Sequence, residues 1–103
     1  MIMSLKKQFD EKNPVCKVTF KLDKEAVNSA NQVNLAGDFN NWDINNLPMK
    51  KYKNGGFSVS VELKKGMEYE FRYVIDGTEW LNEPEADRYV PNVFHSDNSV
   101  IRI

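Results

Sequence analysis

Residues 33–43 read VNLAGDFNNWD, and this stretch decides how the chain folds. Val33 and Leu35 alternate with polar residues and predict a short strand that ends near Gly37. The asparagines and aspartates after the strand favour turns, because their side chains form hydrogen bonds with the local backbone. Trp42 stands at the exit of this polar turn, just beyond the predicted strand end.

Residues 69–80, YEFRYVIDGTEW, resemble the first stretch in kind. An alternating aromatic strand runs into an Asp-Gly turn, and Trp80 follows that turn. Large aromatic side chains are usually buried in small sandwiches, but Trp42 and Trp80 both stand among polar residues, so burial and rim exposure are about equally expected. Two flat rings with amide and guanidinium donors nearby suit the hydroxyl-rich surface of a sugar polymer better than they suit a reaction centre.

The rest of the chain continues as short strands joined by turn dipeptides, with almost no helical periodicity. Alternation of apolar and polar residues predicts strands at residues 15–22, 57–63, 67–75 and 99–103. This spacing predicts an all-β fold, an antiparallel β-sandwich.

The first part of the chain is harder to interpret. Residues 4–12 predict either one or two turns of helix or a frayed terminal arm. We therefore divide the chain into an N-terminal arm, residues 1–13, and a single domain, residues 14–103. Residues 23–31 are polar and predict a loop with about one helical turn.

Composition limits the classes of function. A chain of 103 residues fits one domain, and its net charge of −1 comes from 14 basic and 15 acidic side chains spread along the sequence. The sequence has no block of basic residues that would predict a nucleic-acid or membrane partner, so a neutral partner is expected. Cys16 is the only cysteine, which excludes an internal disulfide. No long apolar run predicts a signal peptide or a membrane span, and the expected location is the cytoplasm.

Three further residues are candidates for binding. Arg72 lies mid-strand, and period-2 geometry sends it outward on the sheet that carries Trp80. Taken alone, Arg72 is interpreted as a solubilising charge paired with Glu70 or with an acid on a neighbouring strand, but beside two rings its planar donors could bind sugar hydroxyls. Phe94 and Asn98 precede the last strand. Phe94 is interpreted either as a core plug, a side chain that fills the interior, or as part of the site, and Asn98 either as a turn residue or as part of the site.

The sequence offers no catalytic or cofactor motif. His95 stands without a cysteine or a second histidine for a metal site, and Asp38 and Asp43 lack the spacing of a calcium loop. No carboxylate pair, phosphate loop or nucleophile elbow is recognisable. We expect no enzyme activity, no metal and no cofactor.

The two tryptophan stretches, the hairpin strand that begins at Phe57 and residues 97–101 together resemble a known family. It is the early-set, immunoglobulin-like domain at the N-terminus of isoamylases and glycogen-branching enzymes, and it includes the glycogen-binding domain of the AMP-activated kinase β subunit. The resemblance runs from about residue 15 to the end, with residues 37–42, GDFNNW, as its most specific piece. A chain consisting of this domain alone, with the start SLKKQ, looks like a bacterial member.

The resemblance implies an immunoglobulin-like sandwich that binds α-1,4-linked glucans. By position, Trp42 and Trp80 would stack on sugar, and Asn98 would bond to hydroxyls. Arg72 stands where the kinase domain has a lysine, and Phe94 stands where it has a leucine that reaches through the glucan chain. The chain also has one additional residue between the Asp-Gly turn and Trp80.

Two functions follow as hypotheses. The first is a non-catalytic module that binds glycogen- or starch-type glucan through surface tryptophans. The alternative is a protein-interaction or scaffold domain that docks onto a glucan-metabolising enzyme without binding sugar. A coplanar, solvent-facing ring pair would favour the first, and an exposed apolar patch lacking both tryptophans would favour the second.

Overall fold

A computed structural model of the chain describes residues 4–27 and 30–103. Within these residues nine strands follow one another in chain order: β1 (Leu5–Gln8), β2 (Val15–Leu22), β3 (Val33–Gly37), β4 (Lys50–Lys51), β5 (Phe57–Lys64), β6 (Glu68–Ile75), β7 (Glu79–Leu81), β8 (Arg88–Pro91) and β9 (Asp97–Arg102). One turn of helix, α1 (Lys24–Val27), follows β2, and a 3₁₀ turn (Asp38–Asn40) follows β3.

The strands form two antiparallel sheets. The first sheet has the order β1-β2-β5-β4, and the second has the order β3-β6-β9-β8 with β7 also paired to β6. Within the described residues every strand pairing is antiparallel. The predicted antiparallel, immunoglobulin-like β-sandwich is confirmed.

The core lies between the sheets and is built by alternation. On β2 every second residue is fully or almost fully buried, from Cys16 to Leu22, while Lys17 and Lys21 are exposed. The ring of Phe20 meets the ring of Phe71 on the other sheet edge-on, with centroids 5.2 Å apart. Such edge-to-face pairs stabilise a core beyond the area they bury, so this contact joins the two sheets.

The N-terminal segment differs from the prediction, because Leu5–Gln8 form a strand rather than a helical turn or a frayed arm. Leu5 stands opposite Phe20 in the register with β2. The hydroxyl of Ser4 donates to the carboxylates of Glu83, which is fully buried, and Glu85. These contacts are made with distant parts of the chain, which is why the local sequence did not signal them.

Parts of the earlier predictions fall outside the described residues. Residues 1–3 of the predicted arm are among them, so the division into an arm and a domain stays a prediction. The single helical turn expected within residues 23–31 is confirmed by α1, whereas residues 28 and 29 of that loop are not described. No helix in the described part of the chain is long and apolar enough to cross a membrane.

Candidate functional site

Gly37 allows the turn after β3 to lie close against β6. A Cβ atom at this position would stand 2.5 Å from the carbonyl oxygen of Glu70 and 2.7 Å from the Cβ of Phe71. These separations leave no space for any side chain. Phe39, two residues later, turns inward, with its ring centroid 6.1 Å from that of Phe20. The glycine and the phenylalanine therefore anchor the turn on the sandwich.

Asn40 and Asn41 shape the turn that presents Trp42. The side chain of Asn40 accepts a hydrogen bond from the Gly37 amide at 3.0 Å and donates one to the Leu35 carbonyl at 3.1 Å. Asn41 and Trp42 both have left-handed backbones, with φ of 56° and 57°. This conformation is common for asparagine and rare for a bulky residue. The Trp42 amide returns to the Gly37 carbonyl at 2.9 Å, which closes the turn.

Asp38 links Trp42 to the neighbouring strand. One carboxylate oxygen accepts a hydrogen bond from the indole Nε1 of Trp42 at 3.0 Å, and the other accepts one from the backbone amide of Glu70 at 2.8 Å. Hydrogen bonds to an ionised acceptor are stronger than neutral ones. Asp38 therefore holds the indole ring in a set orientation, and it is a site residue that sequence reasoning missed, having considered it only for calcium.

The two tryptophans lie side by side on the outer face of the second sheet. Their ring centroids are 6.4 Å apart, and the planes are tilted by 49°. Trp80 is 41% exposed, and Trp42 is half-buried. The coplanar pair that was expected for a glucan-binding surface is therefore not observed. Trp42 leaves a left-handed turn, whereas Trp80 belongs to β7, opposite Val74.

Arg72 lies on the same outer face, as its period-2 position predicted. It stands opposite Ala36 in the register with β3, and its guanidinium carbon is 5.2 Å from the Trp80 ring centroid. This is the distance of a cation–π contact. Burial lowers the pKa of Arg72, although the guanidinium stays charged at neutral pH.

The guanidinium of Arg72 has donors to spare. Its buried Nε atom has no hydrogen-bond partner within residues 4–27 and 30–103, and no described acid forms an ion pair with it. The expected pairing with Glu70 is therefore not observed. A buried donor without a partner is unfavourable. Because this Nε atom is shielded from solvent, a ligand in the groove would contact the guanidinium through its terminal nitrogen atoms instead.

Glu70 instead holds Asn98. The side-chain amide of Asn98 donates to Oε1 of Glu70 at 3.1 Å, and its carbonyl accepts from the side chain of Asn92, also at 3.1 Å. Glu70 and Asn92 are two more residues that sequence reasoning missed. A usable signal existed for Glu70, since it precedes Arg72 by two residues and so faces the same side of β6.

Asn92 also shapes the loop that carries Phe94. Its side-chain carbonyl accepts from the Phe94 amide at 2.8 Å, and its backbone amide donates to the Ser96 carbonyl at 2.9 Å. Phe94 is 80% exposed at the tip of this loop. The interpretation of Phe94 as a core plug is therefore wrong.

All five residues that the sequence singled out line one groove of about 1000 Å³. Its walls are formed by Trp42, Glu70, Arg72, Trp80, Pro91, Asn92, Val93, Phe94, Ser96 and Asn98. Aromatic faces stand at both sides, and amide, guanidinium and carboxylate groups lie between them. No cluster of metal-binding side chains occurs in the described parts of the chain.

A β-sandwich with an open aromatic groove of this kind has the architecture of a carbohydrate-binding module. The sequence model of carbohydrate-binding module 48, the isoamylase N-terminal domain, matches residues 24–91, and the chain belongs to this family. The match contains Trp42, Arg72 and Trp80 and ends before Phe94 and Asn98. A search of curated proteins finds no match. At the family level the domain binds glucan carbohydrate and is generally non-catalytic.

Proposed function

We propose that this chain is a non-catalytic module that binds α-1,4-linked glucan in the groove between Trp42 and Phe94. The observation that carries the proposal is the pair of indole rings, 6.4 Å apart on the face that also carries Arg72. An open groove lined by rings and polar side chains can hold a polymer chain without enclosing it.

The tilt between the rings favours an α-linked glucan. Successive glucose units of an α-1,4 chain turn relative to one another and give a curved, helical strand. Flat β-1,4 chains would present their rings in one plane and would be matched by coplanar aromatics. Planes that differ by 49° fit two units of a curved chain better.

Polar groups in the groove complement sugar hydroxyls. Among the described residues, the guanidinium of Arg72 and the second carboxylate oxygen of Glu70 have no hydrogen-bond partner, so Arg72 can donate to a sugar hydroxyl and Glu70 can accept from one. A glucose hydroxyl can donate and accept at once, so a neighbouring donor and acceptor suit it. Asn98 stands between Glu70 and the Phe94 loop and completes the polar floor.

The expected affinity is modest. Covering one face of an indole removes ~100 Å² from water, which is worth roughly 2–3 kcal/mol. Two such faces and several hydrogen bonds must offset the lost freedom of the ligand. Dissociation constants for short oligosaccharides should fall between about 10 μM and 1 mM. The apparent affinity for branched glucan should be higher, because one glucan molecule offers many binding sites.

Affinity electrophoresis in glycogen-loaded gels tests the proposal. The wild type should be retarded, whereas Trp42→Ala and Trp80→Ala should run close to their positions in a gel without glycogen. Phe9→Ala is the matched control, because Phe9 is 59% exposed but lies outside the groove. Unretarded wild type, or equal retardation of all four proteins, would contradict the proposal.

A solution titration locates the binding. With a maltoheptaose-sized ligand, the indole proton–nitrogen NMR signals of Trp42 and Trp80 should shift together. No reducing sugar should appear when the protein is incubated with glycogen or starch, since the groove has no carboxylate pair placed for hydrolysis.

Docking onto a glucan-metabolising enzyme is the alternative, and the distribution of apolar side chains favours it less. The two most exposed large apolar residues of the described chain, Val93 and Phe94, belong to the groove, as does Trp80. Four others lie outside it and are less exposed than Val93 and Phe94: Phe9, Tyr52, Met67 and Tyr89. A module that fails to bind glucan but co-purifies with such an enzyme would favour the docking function.

A further inference from the structure

The outer face of the first sheet carries an array of lysines and hydroxyls that the glucan groove does not use. The outward residues of two adjacent rows across β1, β2, β5 and β4 are all of these two kinds: Lys21, Ser58 and Lys50 in one row, and Lys6, Thr19 and Ser60 in the next. Because the two sheets pack face to face, this array lies on the opposite side of the molecule from the tryptophans.

The hydroxyls of this array are close to one another. Oγ1 of Thr19 is 2.9 Å from Oγ of Ser60, and the phenol oxygen of Tyr52 is 3.3 Å from Oγ of Ser58. Hydroxyl groups can rotate to donate toward a bound acceptor. Tyr52 is 42% exposed, and Nζ of Lys50 lies over its ring at 5.6 Å from the centroid, so an aromatic ring and a positive charge stand together beside these donors.

The lysines of this array have no ion-pair partner among residues 4–27 and 30–103. The ion pairs among the described residues use Lys7, Arg88 and Arg102, and none involves a lysine of the array. Lys21 and Lys50 flank Ser58 on the two strands that adjoin β5. A bound anion beside Ser58 would be attracted by both lysines.

Neighbouring acids offset only part of this charge. Asp23 and Glu25 line the concave part of this face together with Lys6, Lys21, Lys24 and Lys53, so the lysines there outnumber the acids by four to two. In the next row along the sheet, Lys17 stands opposite Glu62, so the charge there is already balanced. The excess positive charge is therefore confined to the two rows around Ser58 and Thr19.

We propose that this face binds the phosphate monoester of a phosphorylated sugar. Lys6, Lys21 and Lys50 supply the charge, since a phosphate carrying between −1.5 and −2 at neutral pH offsets two lysines where a carboxylate offsets one. The hydroxyls of Thr19 and Ser58 donate to the phosphate oxygens, and lysine suits phosphate as a point charge. Tyr52 covers one face of the sugar. Lys6 and Lys21 line the concave part of this face, about 950 Å³, together with Lys24, Lys53 and Asn54, whereas Lys50 lies beyond this lining.

A proton–nitrogen NMR titration of the full chain tests this site with four probes at equal ionic strength: glucose 6-phosphate, inorganic phosphate, glucose and sodium chloride. Both phosphates should shift backbone amides of residues 19–21 and 58–60 with saturation, glucose and chloride should not, and the indole signals should stay in place. Equal shifts with chloride would show simple charge screening and overturn the proposal.

Variants separate the two parts of the ligand. The double variant Lys21→Gln/Lys50→Gln should raise the dissociation constants of both phosphates at least fivefold. The control Lys12→Gln/Lys64→Gln, which makes the same change of charge, should leave them unchanged. Tyr52→Leu should weaken the binding of glucose 6-phosphate and leave the affinity for inorganic phosphate unchanged. Equal affinity in both double variants, or an unchanged affinity of Tyr52→Leu for glucose 6-phosphate, would overturn the proposal. None of these variants touches the glucan groove, so glycogen retardation should persist in all of them.

Discussion

Replacement of Asp38 by alanine tests how the groove holds its first ring. The carboxylate accepts hydrogen bonds from the indole of Trp42 at 3.0 Å and from the Glu70 amide at 2.8 Å. A bond to a charged group contributes about 1.5–3 kcal/mol when buried, and exposure of Asp38 reduces each to roughly 0.5–1 kcal/mol. The loss of both hydrogen bonds should cost about 1–2 kcal/mol. If this whole cost appears as weaker glucan binding, the dissociation constant rises about 5- to 30-fold.

Calorimetric titration with maltoheptaose measures this change in the dissociation constant. Urea unfolding measures any part of the cost that lowers the free energy of unfolding instead. Asp97→Ala is the matched control, because it removes the same charge near the groove and the Asp97 carboxylate makes no hydrogen bond within the described residues. Asp38→Asn, which keeps one acceptor, should lie between the wild type and Asp38→Ala. An Asp38→Ala protein that binds within twofold of the wild type, while Trp42→Ala does not bind, would refute the view that this carboxylate orients the ring.

Three further predictions concern the turn, the polar floor and the core. Gly37→Ala should lower the free energy of unfolding by about 1–3 kcal/mol, because its Cβ would press on backbone atoms of β6; an unchanged urea midpoint would contradict this. If Glu70 acts by holding Asn98, then Glu70→Ala and Asn98→Ala should be non-additive, so that the double variant binds maltoheptaose no more weakly than the worse single one; full additivity would refute the link. Burial, with the charge and hydrogen bond of Glu83 adding to it, raises the pKa of Tyr73 well above its usual range. Since the unfolded phenol titrates near pH 10, stability from this group is complete below that pH and is lost as the pH rises above it. Urea unfolding between about pH 8 and 11 should therefore show a shallower alkaline loss for Tyr73→Phe, and an equal slope would count against it.

The sandwich could be predicted because its long strands alternate. β2 and β6 each have one buried face, and period-2 patterning marks that face in the sequence. β1 has only four residues, and its position depends on pairing with β2 and on the hydroxyl of Ser4 reaching Glu83. A contact between residues about eighty positions apart leaves no local pattern, so neither the helical turn nor the frayed arm predicted for this segment matches the strand.

The sequence predicted which residues line the groove better than it predicted which of their side chains bond to one another. The structure brings Trp42, Arg72 and Asn98 into one groove, as the sequence suggested, although their role in sugar binding stays a prediction. Which side chain holds which depends on angles that spacing does not encode. Glu70 was therefore assigned to Arg72 when it bonds to Asn98, and the tilt between the rings was not foreseen.

The chain contains two tryptophans, and both stand in the groove at a centroid separation of 6.4 Å. Excitation near 295 nm would therefore report on this surface alone, with no background from an indole in the interior. Transition dipoles so near one another should also couple and give a split circular-dichroism band in the near ultraviolet. The unlabelled protein thus carries its own optical reporter of ligand occupancy, while unfolding of the interior must be followed through tyrosine or the peptide bonds.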